Sequence, residues 1–326
     1  MRVGNNPEKE KGTTNTLWKH RVVVVFYIPD SDEEYFRELP DVLDKCLSSL
    51  VQTVNPQTTC ITLIDNGSGL RGKAVAQKYR HAIDKYVEHL ENKGKVYAVL
   101  SEVRGVYEEF VTISDADILF YDGWEQAVFD VFSDHPKAGV VSPHPCPFTT
   151  FYFNKSVFGM NSLYGNVSYG KHVSDDAIDL YLKGTNLPKL IERKGADFDW
   201  RQKQFILRMP QPAVIGAYHV VATYRTGQFR NVYTFPEVKF KNSYEENFID
   251  RLADDAGLHR LSTVENYIYH MGNTLDDVVS GHRNEGADLL DTEIFHRIRP
   301  TVIEAKPIRF CKWLLGKIFI KFKWNR

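Results

Sequence analysis

Arg21-Val22-Val23-Val24-Val25-Phe26-Tyr27 is the stretch that decides the fold. An unbroken β-branched run of this kind reads as a strand buried on both faces, which is the habit of parallel sheets. Pro29 and Asp30 end it. Outward from it, Val42, Leu43, Cys46, Leu47, Leu50, Val51 and Val54 recur at helical spacing, with Asp41 after Pro40 marking the helix start. A second strand, Cys60–Ile64, runs into the tight polar turn Asp65-Asn66-Gly67-Ser68-Gly69. Ala74, Val75, Tyr79, Ala82, Ile83, Tyr86, Val87 and Leu90 then predict one amphipathic helix. Val96–Leu100 and Phe110–Ser114 read as strands, Trp124–Phe132 as a helix and Gly139–Ser142 as a strand. The order β-α-β-α-β-β-α-β predicts an α/β fold with a mostly parallel central sheet flanked by helices.

In such sheets ligands sit outside the carboxyl ends of the strands. Tyr27, Pro29, Asp65, Asn66, Asp115 and Asp117 all fall at those ends. Asp115-Ala116-Asp117 is the strongest chemical signal. Two carboxylates one residue apart on a turning backbone can hold a hard divalent ion whose other positions take water and phosphate oxygens. Such an ion neutralises the charge that grows on a diphosphate leaving group.

Composition narrows the class. Of 326 residues, 43% are apolar and 25% charged, the ordinary globular mix, so wholesale disorder is excluded. With 41 basic and 42 acidic side chains the net charge is −1, which argues against a general nucleic-acid binder. Cys46, Cys60, Cys146 and Cys311 form no CxxC pair, so neither a structural zinc site nor a dense disulfide framework is expected. The polar N-terminus lacks the apolar core of a secretory signal, and no run suits a membrane span, so a cytoplasmic protein is expected. Neither a nucleophile elbow nor a Walker loop is present.

Beyond Pro143 the pattern weakens. Phe148–Phe153 and Val214–Tyr224 read as strands, Lys171–Lys194 as a polar excursion, Glu245–Ala256 as a short helix, and Val264–His270 as a strand ending in His270. After Glu304 no acid follows, and seven basic residues interleave with Phe310, Trp313, Leu314, Leu315, Ile318, Phe319, Ile320, Phe322 and Trp324. As a helix, this segment places Cys311, Leu314, Leu315, Ile318, Phe319 and Phe322 on one face, the pattern of a helix lying in a membrane interface.

The stretch Val22–Gly69 resembles the opening of a family 2 glycosyltransferase with the GT-A fold. The resemblance rests on Leu43-Asp44-Lys45-Cys46-Leu47-Ser48-Ser49-Leu50-Val51-Gln52-Thr53, on Asp65-Asn66-Gly67-Ser68, and on Asp115-Ala116-Asp117 followed by Trp124. Further on, Ala213–Ala217, the acidic pair Glu245-Glu246 ahead of Arg251 and Gly257, and Tyr267–His270 are similar to later family segments. The resemblance implies an inverting transfer of sugar from a nucleotide-diphosphate donor to a hydroxyl of a glycan or lipid-linked acceptor. It implies that Tyr27 and Pro29 flank the nucleobase and ribose and that Asp65 or Asn66 hydrogen-bonds the base. Asp115 would approach the ribose or a metal-bound water. Asp117 would ligate Mn²⁺ or Mg²⁺, with His270 as a further ligand. Glu246 would be the general base, with Glu245 and then Asp199 behind it. Two departures stand out: Gly69-Leu70 replaces a further Asp, and the helix usually found before the DxD strand looks missing or shortened to Ser101–Glu109.

The expected organisation is a flexible arm over 1–18, a nucleotide-sugar-binding half over 19–142, an acceptor-binding half over 143–300, and a basic amphipathic segment over 301–326. A membrane surface is the partner expected for 306–326. Two other functions compete. A sugar-phosphate nucleotidyltransferase would need a basic Gly-rich loop after the first strand, where acidic Ile28–Glu34 stands. A catalytically inactive membrane-docked scaffold would have no use for Asp115, Asp117 and Glu246. His144, Cys146, Asp175, Asp176 and Asp197 favour structural or solvated roles.

Overall fold

The computed structural model describes residues 3–7, 18–185, 199–208, 210–233, 245–301 and 303–324, without the side chains of Glu246, Lys323 and Trp324. Its first half runs β1 (His20–Phe26), α1 (Leu39–Thr53), β2 (Thr59–Asp65), α2 (Leu70–Lys78), β3 (Lys85–Glu88), α3 (Lys95–Val103), β4 (Phe110–Asp115), β5 (Ile118–Phe120), α4 (Trp124–Asp134) and β6 (Ala138–Ser142). The second half runs α5 (Lys155–Leu163), β7 (Val167–Gly170), α6 (Asp175–Thr185), β8 (Gln204–Leu207), β9 (Ala213–Ile215) and β10 (Val221–Arg225). A π-helical turn, Glu246–Asp250, leads into α7 (Arg251–Asp255). β11 (His259–Ser262), β12 (Ile268–His270), α8 (Asp277–Gly281), α9 (Ile294–Arg297) and α10 (Lys306–Trp324) complete the chain.

The large sheet has the order β3-β2-β1-β4-β10-β6-β11-β9-β8-β7. β1, β2, β3, β4, β6, β8 and β11 share one direction, with β7, β9 and β10 reversed. Every residue of β1 and β2 is buried, as the apolar runs Val22–Phe26 and Leu63–Ile64 at their centres favour. A separate two-stranded sheet joins β12 to β5 and sets His270 opposite Ile118.

Several expectations need correction. The helix expected through Leu90 stops at Lys78, and Lys85–Glu88 forms the edge strand β3, paired in parallel with β2. Leu90, the last apolar position of that supposed helix, is fully exposed. Asp84 accepts a 2.8 Å bond from the Ile61 amide and fixes the turn into β3. Conversely, Val96–Leu100 is not a strand but the body of α3, which buries Val96, Val99, Leu100 and Val103 at 3.6-residue spacing. The helix that seemed missing before the DxD strand is therefore present. Phe148–Phe153 is a short 3-10 turn followed by irregular chain, not a strand. Val214–Tyr224 is two strands broken at Gly216. Within the polar excursion, Asp175–Thr185 is helical, and 186–198 lies outside the described residues.

At the amino end of the sheet a closed polar network fastens the layers. His20 Nδ1 lies 2.7 Å from Glu125 Oε1, and its Nε2 lies 2.6 Å from Thr112 Oγ1. Glu125 Oε2 accepts from the Asn55 amide at 3.0 Å. The Thr59 hydroxyl also donates to Glu125. Both His20 and Glu125 are buried, and removing one member of a buried pair strands the other. Glu125→Ala is expected to lower the unfolding free energy by about 3–5 kcal/mol, read from urea midpoints at unchanged slope.

α10 is not free-standing. Gly159 and Gly316 let it cross α5 closely: a Cβ on Gly316 would sit 1.9 Å from the Lys155 carbonyl oxygen, and one on Gly159 2.5 Å from that of Lys312. Those two contacts make the pair antiparallel. Phe319 stacks on Phe158 at 5.6 Å, and Lys155 lies over the Trp313 ring. The face expected to stay together is thus divided. Leu315 and Phe319 are half-buried, whereas Phe310, Cys311, Leu314, Ile318 and Phe322 remain exposed.

Candidate active site

The carboxyl ends of β1, β2 and β4 open onto a cleft of about 290 Å³. Tyr27, Ile28, Tyr35, Leu39, Asn66 and Asn92 line it, with Lys95, Asp115 and Asp117 on its polar side. A cavity with apolar walls and a few converging polar groups is the usual form of a small-ligand site.

Asp115 and Asp117 reach the cleft because β4 ends at Asp115 and the chain turns before β5. The β12–β5 pairing then delivers His270, whose Nε2 lies 3.5 Å from Asp117 Oδ2. The Met271 amide donates to the Asp117 carbonyl at 2.8 Å and locks that register. Ligand atoms of Asp115, Asp117 and His270 lie within 4.8 Å of one another. Asp117 Oδ1 is buried with no hydrogen-bond partner. Burial pushes the Asp117 carboxyl above its ordinary range; nearby His270 opposes this and Asp115 reinforces it. An orphaned, desolvated carboxylate oxygen beside a second carboxylate and an imidazole suits a divalent cation.

Lys95, at the start of α3, went unnoticed in the sequence because its segment read as a strand. Its Nζ lies 2.5 Å from Asp115 Oδ1 and donates to the His219 carbonyl at 3.4 Å. Burial would lower its proton affinity, yet Asp115, Glu245 and Asp117 more than offset this and raise it. Glu245, just ahead of the π-helical turn, is close enough for its charge to contribute to raising the proton affinity of Lys95. That segment is anchored from behind by a buried group that spacing did not reveal. His219 Nδ1 lies 2.8 Å from Asp250 Oδ2, and Arg260 Nη2 lies 3.3 Å from Asp250 Oδ1. Burial alone would raise the Asp250 carboxyl, but Arg260 and His219 hold it below the usual range.

The other expected residues are placed as follows. Tyr27 lines the cleft, and Pro29 follows at the strand end. Asp65 is fully buried, with one oxygen accepting from the Ser68 amide at 2.6 Å and the other from the Tyr86 hydroxyl at 3.1 Å. Asn66 lines the cleft while its amide oxygen holds His89 Nδ1 and the Lys93 amide. Glu246 opens the π-helical turn, and its side chain lies outside the described residues. Asp199 is exposed and Asp197 lies outside the described residues. His144, pushed down to about 3 by burial and by the charge of His270, lies 3.4 Å from the Cys146 sulfur.

A cleft at the carboxyl ends of parallel strands, with paired acids and an imidazole beside it, has a donor set of the type that suits a divalent ion. Residues 35–182, which include Asn66, Lys95, Asp115 and Asp117 but neither Tyr27 nor His270, match the model described as Glycosyl transferase family 2. The chain resembles the family 2 glycosyltransferases; its architecture is that of the GT-A fold, and the matched region is of glycosyltransferase type. No curated protein matches the chain. Among solved structures, the mannosyltransferase PcManGT from Pyrobaculum calidifontis, in complex with GDP-Man and Mn²⁺, is 14% identical with a TM-score of 0.45, over 75% of this chain and 54% of that one. S. aureus TarS 1-349 is 13% identical with a TM-score of 0.47, over 95% of this chain and 74% of that one. Its complex with UDP-GlcNAc aligns at 14% identity and a TM-score of 0.46, over 81% of this chain and 61% of that one. The chain thus spans about half the length of the mannosyltransferase.

Proposed function

We propose that the protein is an inverting, metal-assisted glycosyltransferase that moves a sugar from a nucleotide-diphosphate donor to a hydroxyl of a glycan or lipid-linked acceptor. The observation that carries this reading is the convergence of Asp115, Asp117 and His270 beside the cleft. Two carboxylates with an imidazole favour Mn²⁺ over Mg²⁺, since imidazole suits transition ions. When bound, the ion supplies positive charge to the leaving diphosphate. Tyr27 and Asn66 bind the nucleoside portion. Glu246, with Glu245 as the neighbouring candidate, takes the proton of the acceptor hydroxyl as that oxygen attacks the anomeric carbon. The carbon–oxygen bond to the diphosphate breaks in the same displacement, so the configuration inverts. Incubation with UDP-, GDP- and dTDP-sugars and a panel of acceptors, followed by proton NMR of the anomeric product, tests this. A product of retained configuration overturns the single displacement, and no metal-dependent nucleotide binding overturns the activity.

The acceptor reading extends to where the enzyme works. Among the described residues no helix is long and apolar enough to cross a membrane. α10 instead presents Phe310, Leu314, Ile318 and Phe322 at four-residue spacing, 62%, 42%, 44% and 67% exposed, beside Lys306, Lys317 and Lys321. Such a face can enter the headgroup boundary of an anionic bilayer, with each lysine adding on the order of 1 kcal/mol. That face supports a reading in which the enzyme attaches peripherally to the inner face of the cell membrane, near a lipid-linked acceptor. Leu314→Asp/Ile318→Asp leaves the α5 contacts in place and is expected to lower co-sedimentation with phosphatidylglycerol vesicles at least tenfold. Equal sedimentation of variant and wild type, or none of either, assigns α10 to packing alone.

A further inference from the structure

Among the described residues lining the cleft, Lys95 is the only cation. It stands in the first turn of the nine-residue helix α3, where the helix dipole disfavours positive charge. Its side chain is 20% exposed, so the ammonium is drawn away from bulk water. What holds it is Asp115 at 2.5 Å, with Glu245 and Asp117 contributing through their fields. A lysine so placed gains nothing from local helix preference; it is positioned by the acidic site together with the His219 carbonyl.

Resting on the donor reading above, we infer that Lys95 is a catalytic residue for the leaving group, pairing with Asp115 in the empty site and with a diphosphate oxygen of the bound donor. Asp115 Oδ1 cannot give full charge to both the ammonium and a divalent ion. When Asp115 serves the ion, Lys95 is released within the same cleft, where a diphosphate brings new acceptors. As the acceptor oxygen bonds to the anomeric carbon, the carbon–oxygen bond to the diphosphate breaks and its electron pair stays on the diphosphate. The acceptor proton goes to the glutamate base. Lys95 keeps its own protons and donates a charge-assisted hydrogen bond to the oxygen that gains charge.

Lys95→Gln retains an N–H for Asp115 but removes the charge. By calorimetry with Mn²⁺ present, it is expected to weaken binding of the nucleoside diphosphate that wild type prefers among UDP, GDP and dTDP by roughly 10- to 100-fold. Binding of the corresponding nucleoside is expected to be unchanged. Mn²⁺ alone is expected to bind the variant as well as wild type or better, because a competitor for Asp115 is gone. Lys95→Arg keeps the charge and is expected to recover most of the diphosphate affinity, which a purely structural lysine would not require. If wild type binds the diphosphate and Lys95→Gln binds it equally, the inference is overturned while the donor reading stands. Equal losses of nucleoside and diphosphate by both variants reduce Lys95 to a structural role. If wild type binds no nucleoside diphosphate, both readings fall.

Discussion

Asp117→Ala is expected to weaken Mn²⁺-dependent binding of a nucleoside diphosphate by at least about 100-fold, since even the outer partners of metal ligands are worth 10–100-fold. The expectation comes from the state of this carboxylate. Asp117 is held against His270 at 3.5 Å, and its Oδ1 is buried with nothing to bond. Burial raises its proton affinity, so the ionised form is maintained at a cost to stability. A side chain kept for structure would not be left in that condition. Thermal unfolding of Asp117→Ala in metal-free buffer should therefore be unchanged or shifted upward while binding is lost. That combination separates a ligand from a structural residue. Undiminished nucleotide affinity in titration calorimetry would remove the metal site from the mechanism.

Glu246→Gln is expected to slow transfer by roughly 10² to 10⁴ while leaving donor binding intact, because an amide is nearly isosteric and only the proton acceptor is lost. The base must act opposite the leaving group, so it has to come from a different segment than the metal ligands. The π-helical segment meets that requirement. It lies more than a hundred residues beyond the acidic pair Asp115 and Asp117, and it ends at Asp250, clamped between His219 and Arg260. Single-turnover rates of Glu246→Gln, Glu245→Gln and Asp199→Asn, each with donor binding measured alongside, decide the assignment. Near-normal turnover in Glu246→Gln together with a collapse in Glu245→Gln moves the base by one residue. A collapse only in Asp199→Asn moves it to another segment.

Much of the donor side was legible because its signals are local. Val22–Val25 is apolar at every position, and Cys60–Ile64 and Val111–Ile113 are apolar except for Thr62 and Thr112; a strand covered on both faces accommodates such runs. Their carboxyl ends then had to carry the turns, and the polar residues there had to face a common rim. Short runs that fit both periods were not legible. Tyr86 and Val87 continue the spacing of α2 yet pair with β2, because the sheet edge offered a ladder that isolated helix propensity could not match. Val96–Leu100 is β-branched enough for a strand, but burial of one stripe against the sheet made it a helix.

By itself, then, the sequence determined the buried parallel strands, the acidic pair at a strand end, and a basic amphipathic C-terminal helix. Each follows from side-chain type at fixed spacing along a few turns or one strand. Only the tertiary structure decided what meets across long separations. His270 reaches Asp117 through the β12–β5 pairing. Lys95 reaches Asp115 once α3 is a helix. Gly159 and Gly316 choose which face of α10 is covered by α5 and which is left to the surroundings. These contacts join residues tens to well over a hundred positions apart, and no periodicity encodes them; they exist because the packed sheet and its helices leave those side chains nowhere else to go.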